Sequence, residues 1–268
     1  MAQDQKKLSI IITNHKTPEL LCLCLQSIKD AAADLSYEIF VFDAEADEET
    51  GLEIKEKFPE VKYEAFRENT GYGKIVNIGL KKATGQYLVI LNADMVLTKN
   101  SLNAMVLYLS SRSEIGVLGP QLLNLNGSIQ ESCFRFHRLS TILYRRTLLG
   151  KTNFGQREIS RFLMRDFNHQ ETKEVDWVMG TAVMTSRLAI DKVGLFDERF
   201  FIYFEDTDWC RRFHQKGLKV VYYPEAKMYH YHRRVSKKSG GLADLFVNKY
   251  TWIHIISALK YFWKWRKG

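Results

Sequence analysis

The chain has 268 residues, of which 46% are hydrophobic and 26% are charged, and its formal net charge is +8. This composition is that of a folded globular protein and excludes an intrinsically disordered chain. Residues 1–7 lack the apolar core of a signal peptide, and no stretch reaches the roughly 18 apolar residues of a membrane span. The basic excess is typical of proteins that meet nucleic acid, an anionic membrane or phosphorylated substrates.

The four cysteines are spaced neither as zinc ligands nor as a disulfide framework; they are Cys22, Cys24, Cys133 and Cys210. We therefore expect them to be reduced and to serve mostly in packing, as in a cytoplasmic protein. The length suits one large α/β domain or two small ones.

Strands and helices alternate over the first 120 residues. The predicted strands cover 8–13, 37–42, 61–66, 86–91 and 115–118. The predicted helices cover 17–30, 50–57, 73–83 and 101–111, the first with Thr17 as its cap and Pro18 in its first turn. This alternation predicts a mostly parallel sheet with helices on both faces.

The second half of the chain is less regular. Residues 124–174 show little periodicity, and they are followed by a predicted strand at 175–184, a helix at 206–216 and a strand at 218–222. From about residue 242 the sequence predicts one long helix that interleaves aromatic with basic residues. This composition is typical of a helix in a membrane interface, and a helix docked on the domain is the alternative. Both interpretations hold if one face docks and the other meets lipid.

Carboxylates follow two of the predicted strands. In an α/β protein, a residue at the carboxyl end of a parallel strand points into the ligand crevice. Asp43 ends the second strand, where it would accept hydrogen bonds from a ribose or a base; a solvated loop acid is the alternative. Asp94 follows the fourth strand, where it would bind a divalent cation with water and phosphate oxygens; a helix cap is the alternative.

An acidic cluster lies within the aromatic stretch 200–204 and the residues that follow it. Asp206 and Asp208 would suit the first turn of a helix, but that position does not explain the aromatic surroundings of Glu205 and its neighbours. Apolar surroundings raise the pKa of a carboxyl group and make it a better general base. One acid that holds a metal and another that takes a proton indicate a group-transfer enzyme.

Two further features carry weaker signals. The turn Gly71-Tyr72-Gly73 lacks the third glycine of a dinucleotide fingerprint, which disfavours a dehydrogenase; a plain turn is favoured over a diphosphate site at that helix N-terminus. His230 follows a strand and is a candidate metal ligand, although such a histidine more often serves in packing.

Together these segments resemble the family 2 glycosyltransferases, and within them the rhamnosyltransferase-like branch that builds bacterial surface polysaccharides. The resemblance runs in order through nearly the whole chain, at 8–15, 42–43, 68–73, Asn77, Gly79, 91–94, 119–122, 127–133, 176–180, 196–201, 205–208 and 224–230. It implies an A-type glycosyltransferase fold with a Rossmann-like sheet. It also implies a single domain at 1–241, with a nucleotide-binding half at 1–120 and an acceptor and catalytic half at 121–241, before an amphipathic helix at 242–268.

The resemblance also implies residue roles. Asp206 would be the general base with Glu205 as its partner, and Asp94 with His230 would hold Mg²⁺ or Mn²⁺. Asn92 stands where the family's Asp-x-Asp motif has its first acid. The donor would contact Thr13, Asn14, Asp43, Gly71, Asn77, Asn92 and Asp94, and the sugar and acceptor pocket would be lined by Trp177 and Gly180.

The implied activity is inverting transfer from a dTDP- or UDP-sugar, with dTDP-L-rhamnose as the first expectation. Galactofuranose, N-acetylglucosamine and glucose donors are the alternatives. The acceptor would be a glycan or lipid-linked hydroxyl, at the inner face of the cell membrane, with the C-terminal helix on anionic lipid. Nucleic acid is not an expected partner, because the sequence contains no nucleic-acid-binding module. A catalytically weak membrane scaffold is the alternative from another class, and only Asn92 favours it.

Overall fold

The computed structural model describes residues 7–231 and 249–266. Eleven strands lie in these ranges: β1 (Leu8–Asn14), β2 (Tyr37–Ala44), β3 (Val61–Phe66), β4 (Tyr87–Asn92), β5 (Met95–Leu97), β6 (Ile115–Leu123), β7 (Cys133–Phe134), β8 (Lys173–Glu174), β9 (Trp177–Val178), β10 (Ala182–Ser186) and β11 (Lys219–His230).

The helices of the same ranges are α1 (Pro18–Ala31), α2 (Glu48–Lys57), α3 (Tyr72–Lys82), α4 (Ser101–Ser110), α5 (Leu139–Arg146), α6 (Asn153–Phe162), α7 (Arg187–Val193), α8 (Glu205–Gln215) and α9 (Lys249–Lys264), with a 3₁₀ turn at Leu148–Lys151 between α5 and α6. None of these helices combines the length and apolarity that crossing a bilayer requires.

One sheet orders eight strands as β3-β2-β1-β4-β10-β6-β11-β5, and β8 adds to β11. Strands β3, β2, β1 and β4 run parallel, β10 is antiparallel to both of its neighbours, and β11 is parallel to β6. One apolar cluster packs α1 and α4 on one face, and a second packs α3, α7 and α8 on the other. The predicted α/β class, with a mostly parallel sheet covered on both faces, is confirmed.

The structure differs from the sequence predictions in the second half. The single strand predicted at 175–184 is two strands, β9 and β10, because the chain turns at Gly180 to bring its amide to Asp206. The strand predicted at 218–222 continues to His230 through a register shift between Tyr223 and Lys227. The irregular region contains α5 and α6, and the part of the predicted C-terminal helix at 242–248 lies outside the described residues.

Candidate active site

The carboxyl ends of β1, β2 and β4 meet at one edge of the sheet. The strand register pairs Asn14 with Asp43 and Thr13 with Asn92. Thr13 Oγ1 donates a hydrogen bond to Asn92 Oδ1 at 3.1 Å. Four of the residues predicted to contact the donor therefore lie in one row, at the place where an open α/β sheet binds its ligand.

Asp43 is buried at this edge and only partly satisfied. The Tyr63 hydroxyl donates to Asp43 Oδ2 at 2.8 Å, while Asp43 Oδ1 is buried and has no hydrogen-bond partner among the described residues. Burial raises the pKa of Asp43, and the interactions with the Tyr63 and Asn14 side chains oppose that rise. Because buried polar atoms are nearly always hydrogen-bonded, the free oxygen indicates a place for a ligand donor such as a ribose hydroxyl. Tyr63 was not singled out by the sequence.

Asp94 and His230 are brought together by the pairing of two edge strands. Asp94 directly precedes β5, and the antiparallel register places His230, at the end of β11, opposite Met95. His230 Nε2 lies 3.4 Å from Asp94 Oδ2. The two residues are 136 positions apart in the sequence numbering, so only the fold makes them neighbours.

His230 is oriented by Gln130, which the sequence did not single out for a role. His230 Nδ1 lies 2.6 Å from Gln130 Oε1, and assigning the Nδ1 proton to this bond leaves the Nε2 lone pair on the Asp94 side. A ligating histidine commonly has its other ring nitrogen held in this way. Asp94 Oδ1 is buried and has no hydrogen-bond partner among the described residues.

The Asp94–His230 pair fits a divalent cation. Within 7–231 and 249–266, no group of three or more His, Cys, Asp or Glu side chains is arranged to hold a metal. An ion such as Mg²⁺ takes only one or two protein ligands in nucleotide sites and completes its shell with water and phosphate oxygens. A carboxylate with one unfilled oxygen beside an oriented imidazole therefore provides the protein's share of such a shell.

Asp206 lies in the first turn of α8 and is held by backbone amides. The chain enters α8 through Tyr203 and Phe204, whose φ angles of 71° and 69° are left-handed. Asp206 Oδ2 accepts from the Gly180 N–H at 3.1 Å, and Oδ1 accepts from the Thr207 N–H at 2.7 Å. These bonds fix the carboxylate against the turn between β9 and β10.

Gly180 is required for this approach. A Cβ atom at Gly180 would lie 3.1 Å from Asp206 Cβ, which is tighter than ordinary packing. The Gly180 carbonyl accepts from the Tyr72 hydroxyl at 2.6 Å. The sequence predicted that Gly180 lines the sugar pocket, and its contacts in the structure are with the base and with Tyr72.

Glu205 and Asp206 form a coupled acidic pair. Burial and the Asp206 charge raise the pKa of Glu205 well above its ordinary value, and burial raises the pKa of Asp206 against the hydrogen bonds from Gly180 and Thr207. Since Glu205 is 5% exposed and its Oε2 has no hydrogen-bond partner among the described residues, we assign the proton to Glu205 and the charge to Asp206.

Tyr72 is buried near the acidic residues Glu205, Asp206 and Asp94. Burial raises its pKa well above the ordinary value, with further contributions from the charges of Glu205, Asp206 and Asp94. Its hydroxyl reaches the turn that also binds Asp206. The sequence analysis noted Tyr72 only as part of the turn Gly71-Tyr72-Gly73. Its position near the candidate site became clear only from the residues that surround it in the structure.

Asn77 and Gly71, which were predicted to contact the donor, hold the segment before α8 in the structure. Asn77 is 2% exposed, and its amide donates to the Phe196 carbonyl and accepts from the Phe196 N–H, both at 2.9 Å. Gly71 has a φ of 102°, and a Cβ there would lie 2.8 Å from the Phe201 carbonyl oxygen. That same carbonyl accepts from the Tyr72 N–H, so the N-terminus of α3 is occupied by protein.

Trp177 is also a packing residue in the structure. It is 8% exposed, its ring stacks on Phe134 with centroids 4.4 Å apart, and its Nε1 donates to the Arg135 carbonyl at 3.0 Å. The predicted role of Trp177 in the sugar pocket stays a prediction, and its contacts within the protein are with Phe134 and Arg135.

This fold and this site define a nucleotide-sugar transferase architecture, and the sequence comparison agrees. The family model described as "Glycosyltransferase like family 2" matches residues 5–248, so the chain belongs to glycosyltransferase family 2.

Two curated relatives carry more specific names. The chain is 27% identical over 191 residues to the N-acetylglucosaminyl-diphospho-decaprenol L-rhamnosyltransferase of Mycobacterium tuberculosis, which covers 66% of this chain and 60% of the relative. It is 23% identical over 245 residues to the O-antigen biosynthesis protein RfbC of Myxococcus xanthus, covering 89% of this chain and 18% of that protein. The chain thus spans less than two thirds of the length of either.

Solved structures confirm the A-type glycosyltransferase fold. A crystal structure of GalNAc-T7 with UDP, GalNAc and Mn²⁺ matches with a TM-score of 0.64 at 21% identity, over 86% of this chain and 45% of that chain. The structure of S. aureus TarS matches with a TM-score of 0.56 at 18% identity, over 84% of this chain and 36% of that chain.

Proposed function

We propose that the protein is an inverting glycosyltransferase that moves a sugar from a nucleoside diphosphate to an acceptor hydroxyl. The observation that carries this proposal is the grouping of Asp43, Asp94 with His230, and Asp206 at one edge of the sheet. Buried carboxylate oxygens of Asp43, Asp94 and Glu205 have no hydrogen-bond partner among the described residues. Such atoms mark the surfaces that a polar ligand would complete.

The proposed chemistry assigns one role to each group. Asp206 accepts the proton of the acceptor hydroxyl, whose oxygen forms the new bond to the anomeric carbon. The bond from that carbon to the diphosphate oxygen breaks on the opposite face, and its electron pair leaves with the nucleoside diphosphate. A Mg²⁺ or Mn²⁺ ion held by Asp94 and His230 would stabilise the charge on that leaving group.

The donor would lie along the row of strand ends. Asp43 would accept from the nucleoside, and Thr13, Asn14 and Asn92 would contact the same nucleotide from β1 and β4. Glu205 and the Gly180 turn would face the acceptor side, since both contact or adjoin the base.

For the sugar we propose L-rhamnose from dTDP-rhamnose. The rhamnosyl name of the mycobacterial relative supports this choice. Two of the structural neighbours were solved with UDP, so a UDP-sugar carrying glucose, galactofuranose or N-acetylglucosamine is the alternative within enzymes.

For the acceptor we propose a glycan or a lipid-linked saccharide, used at the inner face of the cell membrane. The mycobacterial relative's name specifies a decaprenol-linked acceptor. The C-terminal helix α9 would meet anionic lipid through its outer face, because Trp252 and Trp263 on that helix are 54% and 71% exposed. Equal sedimentation of the protein with and without anionic liposomes would contradict the membrane part.

A donor screen by thermal shift tests the proposal. It compares dTDP-rhamnose, UDP-glucose, UDP-N-acetylglucosamine and UDP-galactose, each with Mn²⁺, with Mg²⁺ and with a chelator. A ligand that binds only the folded state raises the melting temperature as it saturates the site. A metal-dependent shift with dTDP-rhamnose supports the proposal. A folded sample that responds to no donor, yet binds liposomes, would favour a catalytically weak scaffold.

A further inference from the structure

Helix α9 has a docked face and an outer face. On the docked face, Ser257 Oγ donates to the Ile202 carbonyl at 2.9 Å, Tyr261 is fully buried, and Lys264 Nζ lies 2.8 Å from Asp208 Oδ2. The outer face carries large apolar side chains that are 47–71% exposed: Trp252, Ile256, Leu259 and Trp263.

The outer residues form one narrow stripe. They recur at the spacing i, i+4, i+7 and i+11, and at about 100° per residue they fall within an arc of roughly 60°. On the same geometry, Tyr261 lies on the opposite side of the helix. The apolar stripe therefore lies on the side of the helix opposite Tyr261, and its four side chains stay 47–71% exposed among the described residues.

A second segment has the same character. The stretch 138–157, which spans α5, the 3₁₀ turn and the start of α6, contains no acidic residue and five basic ones. It also exposes five large apolar side chains at 48–78%, which are Leu139, Leu143, Leu148, Leu149 and Phe154. More than half of the large exposed apolar side chains of the described residues lie in this segment and α9.

The two segments are neighbours in space. Ile142 on α5 packs against the buried cluster that contains Ala258 and Tyr261 of α9. Burial, followed by the nearby charges of Arg146 and Arg145 on α5, lowers the pKa of His254 on α9 to about 3. Helix α5 is therefore adjacent to α9, and the 3₁₀ turn and α6 pack in turn against α5.

The charge of this region indicates what covers it. Eight basic side chains are exposed in the two segments, namely Arg138, Arg145, Arg146, Lys151, Arg157, Lys249, Lys260 and Arg266. Neither 138–157 nor 249–266 contains an acidic residue, although Glu158, directly after the first segment, pairs with Arg138 and Arg161. Monomeric proteins rarely expose so many apolar side chains together, and a basic rim around them matches the anionic headgroups and acyl chains of a bilayer.

We propose that the outer face of α9 and the exposed residues of 138–157 form one membrane-binding surface for anionic lipid. We refer to it as the basic apolar face. Both segments are needed, because α9 alone supplies only three of the eight exposed bases. The inference deepens the proposed function, on which its acceptor side rests: α9 is tied to α8 through Asp208, so the surface would hold Asp206 close to a lipid-linked acceptor.

The test compares three double variants of the full chain, each adding two carboxylates at exposed leucine, phenylalanine or tryptophan positions. Leu148→Glu with Phe154→Glu changes the 138–157 segment, and Leu259→Glu with Trp263→Glu changes α9. The matched control places the same charges on α4 and α7, at Leu107 and Leu188, which are 74% and 75% exposed. Binding is measured by co-flotation with mixed phosphatidylglycerol–phosphatidylcholine vesicles and with phosphatidylcholine vesicles alone.

We expect wild type and the control to bind the mixed vesicles, and each of the other two variants to lose binding by about tenfold or more. Salt should weaken the wild-type binding, and phosphatidylcholine alone should bind weakly. The proposal is overturned if wild type does not float with mixed vesicles, if the 138–157 variant binds like wild type, or if all three variants lose binding equally. It is also overturned if light scattering shows a dimer that these variants dissociate while vesicle binding is absent.

The same samples separate this proposal from the proposed function. The nucleotide-sugar thermal shift is measured on every variant. If wild type binds the donor but not vesicles, the membrane-surface proposal is overturned and the transferase proposal stands. If it binds vesicles but responds to no donor, the transferase proposal is overturned and the membrane-surface proposal stands.

Discussion

Asp206 and Asp208 lie two positions apart in α8, but their hydrogen-bond partners are different. Asp206 accepts hydrogen bonds from the backbone N–H groups of Gly180 and Thr207 and lies against the turn between β9 and β10. Asp208 is fully buried and accepts from the Trp265 indole at 2.9 Å and from the Lys264 ammonium at 2.8 Å. The first is the proposed base and the second fixes the docking of α9, a distinction that the sequence cannot make because both suit the first turn of a helix.

Replacing the base should abolish turnover and spare binding. Asp206→Asn keeps the shape and the bond from Thr207 but removes the group that accepts the proton. We expect the transfer rate to fall by about 10²–10⁴-fold, with the donor-induced melting shift retained. Asp30→Asn, an exposed acid at the end of α1, is the matched control. Full activity in Asp206→Asn would remove it from the base role.

Gln130 should act through His230 and not through the substrate. Gln130→Leu removes the acceptor that orients the imidazole, so we expect the affinity for Mn²⁺ in the presence of nucleoside diphosphate to fall by about 10–100-fold. Calorimetric metal titration provides the measurement. Gln86→Leu, at an exposed position directly before β4, is the control and should leave the affinity for Mn²⁺ unchanged. An unchanged affinity in Gln130→Leu would mean that the imidazole needs no such support.

At the scale of elements, α9 stabilises the helix that bears the base. Lys264 contacts both Asp197 and Asp208, and Asp208 also accepts hydrogen bonds from Trp265 and Arg212. Lys264→Met keeps the side-chain stem but leaves Asp208 with less support in a buried position. We expect a loss of about 1.5–3 kcal/mol in the free energy of unfolding, measured by urea denaturation.

The matched control for that variant is Lys55→Met, on the exposed surface of α2, which should change stability little. If both variants lower the free energy of unfolding by the same amount, the contact of Lys264 with Asp208 makes no specific contribution to stability. Since Lys264 is 21% exposed at its side chain, the expected loss is set below that of a fully buried pair.

The elements themselves were largely predictable, and their contacts were not. The central strands of the first half were found as continuous apolar runs, because parallel strands covered by helices on both faces bury the side chains of both faces. The predicted strand at 175–184 is broken at Gly180 because a tertiary bond to Asp206 overrides the local pattern. Asn77 and Trp177 were predicted to contact ligand, but the sequence could not show that their polar atoms are satisfied within the protein.

At the scale of the whole molecule, buried acids give the stability an unusual pH dependence. The raised pKa of Glu205 means that the folded state holds a proton that the unfolded chain has released. That contribution is therefore present below the ordinary glutamate pKa and lost as the pH rises towards the folded value. Glu38 is the opposite case: burial alone would raise its pKa, but hydrogen bonds from Lys62, Thr84 and Ser9 lower it to about 2.

Glu205→Gln should flatten the alkaline side of the stability curve. The variant has no proton to lose, so its free energy of unfolding should fall less than that of wild type as the pH rises above the ordinary glutamate pKa. Acid destabilisation below about pH 4.5, to which Glu38 contributes, should be the same in both proteins. Denaturant midpoints at a series of pH values provide the measurement, and parallel curves throughout would contradict the assigned proton on Glu205.

The order of the sheet explains why distant motifs predicted one site. Asp43 and Asp94 follow strands whose carboxyl ends the parallel topology places together, so the crevice could be predicted from their positions. His230 joins them only through the pairing of β5 with β11, which local patterning does not specify. Its predicted role came weakly from its place after a strand and more fully from the family resemblance, and family membership is confirmed by the match over residues 5–248.

The most direct test of the account is calorimetric binding of dTDP-rhamnose to wild type and His230→Ala, each with Mn²⁺ and with a chelator. We expect wild type to bind in Mn²⁺ and to lose most of that affinity in the chelator, while His230→Ala should bind about 10–100-fold more weakly in Mn²⁺. A folded wild type that binds the donor equally well with the chelator, and no better than His230→Ala, would contradict the metal-assisted donor site at Asp94 and His230.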